Sequence, residues 1–386
     1  MNTVLNLLDR KLYLERYPVK HQHKSLQAWD AADEYAMKYL DELISNDEIK
    51  ALEGRTLVLN DDFGALSIWL HEYKPYSLSD SWVSHKSAKV NLKHNELSID
   101  DVTFVTSTDE LSTLVNQPLK LVVLKLPRSM AYLQHQLIQL QQVIDSDTTI
   151  IACGKVKSVT SSVIKLFEKH LGPVKTSLAQ KKARLMFCQY QGLKESLPDP
   201  TLIEDSAVSF KLLNLANVFS REQVDVGARL LLKQLPDCNQ QQVIDLGCGN
   251  GILGIQTLLN NPEAHLTFVD ESYMAVESAR QNLMNAQGHT DNASFVVSNC
   301  LDEVLMKQRS FADHILCNPP FHQQNVITDH IAYQMFNDSK KALKPGGQVR
   351  IVANRHLDYP HKLNRLFDGH DVLASNSKFS VMACIN

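Results

Sequence analysis

Apolar positions along the chain follow two different rhythms. In the N-terminal stretch Leu26, Trp29, Ala32, Tyr35, Ala36 and Leu40 recur at helical spacing, so residues 1–50 are expected to be helical ahead of an acidic segment. From Arg55 the rhythm changes to short apolar runs separated by helical stretches. The runs are Thr56 to Leu59, Tyr76 to Leu78, Val102 to Val105, Lys120 to Leu126 and Thr149 to Cys153. Alternation of this kind predicts an α/β domain with a mostly parallel, doubly wound sheet covered by helices on both faces.

The same alternation returns from about Gln240, with runs at Val243 to Leu246, His265 to Val269, Ser294 to Val297, His314 to Cys317 and Gln348 to Ala353. The two halves also match in residues. Gly64-Ala65-Leu66-Ser67-Ile68 aligns with Gly251-Ile252-Leu253-Gly254-Ile255, and Ser87-Ala88-Lys89-Val90-Asn91-Leu92 with Ser278-Ala279-Arg280-Gln281-Asn282-Leu283. Asp80 falls near Asp270 with one gap, and Ile150-Ile151-Ala152 falls on Arg350-Ile351-Val352-Ala353. A period of about 190 residues is far longer than a solenoid repeat and predicts two similar α/β domains. The turn-forming run Lys194-Glu195-Ser196-Leu197-Pro198-Asp199-Pro200 marks the join, giving expected domains 1–195 and 196–386.

With 386 residues and 44% hydrophobic content, each half is large enough to bury its own core. No segment approaches the roughly 20 apolar residues of a membrane span, and Asp9 and Arg10 stand where a secretory apolar region would lie, so a cytoplasmic protein is expected. Seven cysteines without a C-x-x-C pair, among them Cys153, Cys188, Cys300 and Cys317 in apolar runs, read as buried reduced thiols, with neither a disulfide framework nor a metal site. A net charge of -4 argues against nucleic-acid binding by the whole surface but leaves local patches open.

The candidate chemistry gathers in the second half. Its first strand runs into Asp245-Leu246-Gly247-Cys248-Gly249-Asn250-Gly251, where three glycines let the backbone turn tightly and approach a ligand in front of a helix N-terminus. The overlapping Gly249-Asn250-Gly251-Ile252-Leu253-Gly254 also satisfies the dinucleotide pattern G-x-G-x-x-G, an alternative the sequence leaves open. Asp270 closes the second strand, placed either to accept from both hydroxyls of a ribose or to cap a helix. Asn299 follows the third, able to pair with an adenine edge or to hold a turn. Asn318-Pro319-Pro320-Phe321 follows the fourth. Two prolines remove two backbone donors, leaving an amide oxygen, nearby carbonyls and an aromatic ring; alternatively the run is a loop breaker. Four such strand ends fit the rule that open α/β sheets bind ligands beyond the carboxyl ends of their strands.

Together the glycine loop, the acidic residue after strand two and Asn-Pro-Pro-Phe after strand four resemble S-adenosylmethionine-dependent methyltransferases that modify exocyclic amines. The doubled domain, Val218-Phe219-Ser220 to Asp225-Val226-Gly227, Asn318-Pro319-Pro320-Phe321-His322-Gln323-Gln324 and Val352-Ala353-Asn354-Arg355-His356-Leu357-Asp358-Tyr359 resemble the RlmG branch of the RlmG/RsmC rRNA methyltransferase family over nearly the whole chain. The resemblance implies two tandem Rossmann-like class I methyltransferase domains and methylation of guanine N2 in 23S rRNA. It implies S-adenosylmethionine as cofactor, bound by Asp245, Gly247, Cys248, Gly249, Asn250, Gly251, Asp270 and Asn299. Asn318, Pro319, Pro320 and Phe321 are then the catalytic residues, with Phe321 stacking on a base drawn out of its helix. His322 is either a late proton acceptor or a packed histidine. No metal is needed, and an internal duplication permits a monomer.

Where the second half has its glycine loop, the first has Leu59-Asn60-Asp61-Asp62-Phe63-Gly64, and where Asn318 should recur it has Lys125-Leu126-Pro127-Arg128. The first half is therefore expected to be degenerate and to recognise RNA. Lys155, Lys157, Lys165, Lys169, Lys175, Lys181, Lys182 and Arg184 face one acid, Glu168, between Ile151 and Tyr190. Lys340, Lys341, Lys344, Arg350, Arg355, Lys362 and Arg365 face only Asp358 between Ser339 and Leu366. Such runs suit phosphate contacts, or a solvated helix face. Rival readings are a 16S rRNA guanine methyltransferase, a methyltransferase for a protein glutamine, which uses a related Asn-Pro-Pro-Tyr turn, and a non-enzymatic ribosome-assembly factor.

Overall fold

The computed structural model describes residues 2–19, 26–320 and 326–386, which divide into two compact units, Met1–Asp199 and Pro200–Asn386. The unit Met1–Asp199 holds a seven-stranded sheet of Thr56–Leu59, Tyr76–Ser79, Thr103–Thr106, Leu121–Lys125, Thr149–Lys155, Val174–Thr176 and Ala183–Cys188. Numbered along the chain within that sheet, the strands lie in the order 3-2-1-4-5-7-6. The first five are parallel, and only the last two run antiparallel to their neighbours. Successive residues of each central strand enter opposite cores. Val58, Val123 and Ile151 face one, and Leu57, Leu59, Val122, Leu124 and Ile150 face the other. That alternation is what a sheet with helices on both faces requires.

The unit Pro200–Asn386 repeats the plan with Gln242–Leu246, His265–Asp270, Ala293–Val297, Ala312–Cys317, Leu343–Asn354, Asp371–Ser375 and Phe379–Ile385, again in the order 3-2-1-4-5-7-6. Strand order reverses beside strand 1, so a crevice opens beyond the carboxyl ends of strands 1 and 4.

The repeated Ser-Ala-x-x-Asn-Leu motif has a structural account. Asn282 Nδ2 donates to the carbonyls of Asn250 (3.0 Å) and Leu213 (2.9 Å), and its Oδ1 accepts from Leu213 N at 2.7 Å. Asn91 makes the same three bonds, to Phe63 and Glu15. Ser278 and Ser87 accept from Leu215 N and Tyr17 N. In each unit, then, this helix ties the chain that enters the domain to the loop after strand 1. The paired glycines are explained too: Gly64 (φ +87°) and Gly251 (φ +83°) are left-handed, and a Cβ there would sit 2.6 Å from Ala88 Cβ and 2.9 Å from Ala279 Cβ.

Three expectations are corrected. Residues 1–50 are not all helical: an antiparallel hairpin of Val4–Leu7 and Arg10–Tyr13 precedes the helix Ala31–Ser45. Leu5, Leu7 and Leu12 are its buried positions and Leu14 follows just beyond it, a period-two signal that the helical spacing downstream overshadowed. The counterpart of Asp270 is Ser79 rather than Asp80, because strand 2 ends at Ser79 in one unit and at Asp270 in the other, each followed two residues later by a capping serine, Ser81 and Ser272. Finally, the start of the expected linker belongs to a folded unit, since Glu195 bonds His170 Nδ1 (2.9 Å) and Gln141 Nε2 (2.8 Å). Just beyond the run, Thr201–Ile203 pairs with Leu212–Asn214. All seven cysteines are free and buried.

Candidate active site

Leu246 lies opposite Cys317 on strand 4 and Val269 on strand 2, so the ends of these three strands are adjacent, with Val297 at the end of strand 3 beside Asp270. The sheet register thus brings Asp245, the glycine loop, Asp270, Asn299 and Asn318 to one edge.

The loop after strand 1 is held by its own backbone. Gly247 N and Cys248 N both donate to Val269 O (2.8 and 3.0 Å), and Gly251 N to Cys248 O at 2.8 Å. Gly247, Gly249 and Gly251 all have positive φ. A Cβ at Gly249 would meet nothing within 4 Å, so this peptide faces open space. Cys248 and Asn250 serve the loop differently: the Cys248 thiol is buried in the core, and Asn250 Oδ1 accepts from Ile252 N at 3.2 Å in the first turn of the helix Ile252–Asn260. Behind the loop, a Cβ at Gly254 would lie 2.4 Å from the Phe268 ring, which explains that glycine by packing.

Three carboxyl and amide groups surround this cradle. Asp245 is buried and accepts from Gly254 N through Oδ2 (2.9 Å), while its Oδ1 is buried without a partner among the described residues. Burial pushes its carboxyl up to about 8, against the hydrogen bond from Gly254. Asp270 accepts from Gly249 N (2.9 Å) and Ser272 N (3.0 Å), binding the loop to the start of the next helix. Asn299 is buried and donates to Asp302 Oδ2 at 2.9 Å, holding the turn after strand 3.

Asn318 closes the edge. Its Nδ2 donates to Asp225 Oδ2 at 3.2 Å, and its Oδ1 is buried without a partner among the described residues. An ionised carboxylate only accepts, so the contact fixes which end of the amide is nitrogen. Pro320 O accepts from the Tyr359 hydroxyl (3.3 Å), whose ring packs edge-on against Phe336. Phe321 and His322 lie outside the described residues. Asp225 and Tyr359 escaped the sequence reading as site residues: Asp225 looks like an ordinary N-cap before Val226–Leu232, and nothing in the sequence links it to a residue 93 positions on.

Register identifies what the first unit has at the same place. Leu124 lies opposite Leu59 as Cys317 lies opposite Leu246, so the next residues, Lys125 and Asn318, correspond. Lys125 is buried and pairs with Asp33 Oδ1 (2.7 Å) and Asp62 Oδ2 (3.0 Å). Burial works against its ammonium, but the carboxylates outweigh it and hold the pKa well above the ordinary lysine value. The open loop is also lost. Asp62 and Phe63 replace Gly249 and Asn250, and the Arg16 guanidinium lies 4.4 Å over the Phe63 ring. The basic runs differ as well. Lys341 and Lys344 pair with Asp338 and Asp313, and Arg350 donates to Gln234 O and Gln348 Oε1, so much of the Ser339 to Leu366 run serves the fold. In the other run Lys181 pairs with Glu34 at the surface.

Comparison with known proteins fits this geometry. Residues 2–192 match the family model described as the RLMG N-terminal domain, and residues 209–383 the Methyltransferase small domain. A Pseudoalteromonas atlantica protein named Ribosomal RNA large subunit methyltransferase G is 50% identical over 100% of both chains. The chain belongs to the ribosomal RNA large subunit methyltransferase G family. A relative of the same name from Aeromonas salmonicida is 46% identical over 100% of both chains, and one from Vibrio vulnificus 44% over 99% of both. Among solved structures, the Thermus thermophilus 16S rRNA N2 G1207 methyltransferase (RsmC), in complex with AdoMet and guanosine, superposes with a TM-score of 0.77 at 22% identity, covering 100% of this chain and 97% of that one. That likeness shows a shared class I methyltransferase fold. Among the described residues no helix is long and apolar enough to cross a membrane, and no group of three or more His, Cys, Asp or Glu could hold a metal ion.

Proposed function

We propose that the protein transfers a methyl group from S-adenosylmethionine to the exocyclic N2 of a guanine in 23S rRNA, and that the unit Pro200–Asn386 carries the reaction. The observation that carries this reading is the buried, unpartnered amide oxygen of Asn318 beside an open glycine loop. A buried acceptor without a partner costs about 1–3 kcal/mol, so it is kept where a ligand supplies the donor.

The residues present fit the cofactor. The Gly247 to Gly251 backbone faces open space at Gly249, the unpartnered Asp245 Oδ1 is placed to accept from an ammonium that would displace the carboxyl proton, and Asp270 stands at the end of strand 2, where a ribose diol is read in this architecture. Asn299 lies at the next strand end, for the base edge. When bound, S-adenosylmethionine supplies a methyl group already activated by a sulfonium.

The protein's task is then to prepare a poor nucleophile. The guanine amine delocalises its lone pair into the ring. Asn318 Oδ1 and the Pro319 carbonyl accept its two hydrogens, localise the lone pair on nitrogen and stabilise the positive charge that develops there as the nitrogen takes up the methyl group, after which one of the two hydrogens leaves to solvent as a proton. The Tyr359 to Pro320 bond and the packed Phe336 ring hold the turn rigid while it does so. The unit Met1–Asp199, with its loop closed and Lys125 consumed by carboxylates, serves RNA recognition through the basic run between Ile151 and Tyr190 that includes Lys181 and Lys182. Names and full-length similarity of the relatives favour the large-subunit RNA. The test is digestion and mass spectrometry of 23S and 16S rRNA from cells with and without the gene. One N2-methylguanosine missing from 23S rRNA is expected; unchanged N2-methylguanosine in both RNAs overturns the proposal.

A further inference from the structure

Asp225 does two things with one oxygen. Its Oδ2 accepts from Ala228 N (3.0 Å), capping Val226–Leu232, and from Asn318 Nδ2 (3.2 Å) across 93 residues of sequence. An N-cap needs only the first. The second bond reaches the residue whose other amide atom, Oδ1, is buried and unpartnered.

The duplicated fold keeps this link in both units with altered chemistry. In the first unit the helix Ala31–Ser45 packs on strands 5 and 7, as Val226–Leu232 packs on strands 5 and 7 of the second. Its N-cap is Asp30, and the residue after strand 4, Lys125, is again tied to the start of that helix, through Asp33 in its first turn. Both units therefore fasten the end of strand 4 to the same helix. Where the residue is lysine the fastening is an ion pair; where it is asparagine the carboxylate selects one face of an amide.

We propose that Asp225 is a positioning residue for methyl transfer: it holds the Asn318 amide with nitrogen inward and oxygen toward the acceptor. The two ends of an asparagine amide have nearly the same shape, so packing discriminates weakly between them. A carboxylate does discriminate, because the flipped amide would set oxygen against oxygen. With the lock in place the site presents an acceptor and so selects a nucleophile that donates hydrogens, an amine. Flipped, Asn318 would present its NH2 group and repel the same amine. The inference deepens the proposed function and rests on Asn318 aligning the acceptor.

Asp225→Asn separates this role from capping, since asparagine caps helices as well as aspartate does but can accept or donate toward Asn318. The experiment measures single-turnover transfer of labelled methyl from S-adenosylmethionine to rRNA from cells lacking the gene, with cofactor affinity and thermal midpoint measured beside it. Asp225→Asn is expected to slow transfer by roughly 10- to 100-fold, the scale of a misplaced reacting group, with cofactor affinity and midpoint unchanged. In an Asn318→Ala background the same substitution is expected to have no further effect. Wild-type transfer by Asp225→Asn, or an equal loss with and without Asn318, overturns the inference. If the wild-type protein methylates an RNA amine other than guanine N2 and Asp225→Asn still slows it through Asn318, the guanine assignment fails while the positioning role stands.

Discussion

Lys125 offers a sharp test of what became of the first unit. It sits where the second unit carries Asn318, buried, 2.7 Å from Asp33, whose side chain has no solvent exposure. Lys125→Met keeps most of the aliphatic volume and removes the charge, leaving the Asp33 carboxylate stranded in the core. Breaking one partner of a buried pair costs about 3–5 kcal/mol, and at 2–4 °C per kcal/mol for a unit of this size the midpoint should fall by roughly 6–20 °C. Asp62 is more exposed, so its pairing adds little to that figure. The loss should deepen as pH rises, because a stranded carboxyl is tolerated best while protonated. Lys125→Met/Asp33→Asn should recover most of it. Calorimetric unfolding reads the midpoint, and titration below the transition should show S-adenosylmethionine affinity unchanged. A midpoint within about 1 °C of wild type, far below that range, would refute the claim that this cation serves the fold.

Other predictions concern the second unit and the RNA. Because burial raises the folded-state pKa of Asp245 to about 8, the folded state keeps a proton that the unfolded chain releases, so its contribution grows more unfavourable as pH rises from about 4 to 8 and then levels off. Asp245→Asn should thus gain stability relative to wild type across that window, by at most roughly 5–6 kcal/mol at about 1.36 kcal/mol per pH unit; a pH-independent difference would contradict it. Gly251→Ala should destabilise by about 1–3 kcal/mol and weaken cofactor binding, since its Cβ would crowd Ala279 at a left-handed φ of +83°; chemical denaturation checks the first and titration the second. Lys181→Gln/Lys182→Gln should weaken rRNA binding and lower the slope of its salt dependence by about one for each phosphate no longer neutralised, leaving S-adenosylmethionine affinity alone.

Much of this was legible in the sequence because it was local. Strands at Thr56–Leu59 and Gln242–Leu246 announce themselves as apolar runs, and the left-handed Gly251 follows from a glycine loop before a helix. The duplication was legible because Ser278, Asn282 and Gly251 keep their identities where the fold needs them. What stayed hidden was long-range. The Asp225–Asn318 bond joins residues 93 apart, and the sequence offers only a helix cap at one end. Charge counting misjudged the Ser339 to Leu366 run for a related reason, since Asp313 and Asp338 neutralise it from outside the window. Asp80 was paired with Asp270 by residue type, whereas strand ends and serine caps put Ser79 there.

The most direct measurement compares wild type and Asn318→Ala for two quantities in parallel, equilibrium binding of S-adenosylmethionine and single-turnover methyl transfer to guanine N2 in 23S rRNA. The account predicts retained binding with transfer slowed by about 2–4 kcal/mol, roughly 30- to 900-fold. Transfer at the wild-type rate would contradict it and make the Asn-Pro-Pro turn a structural feature.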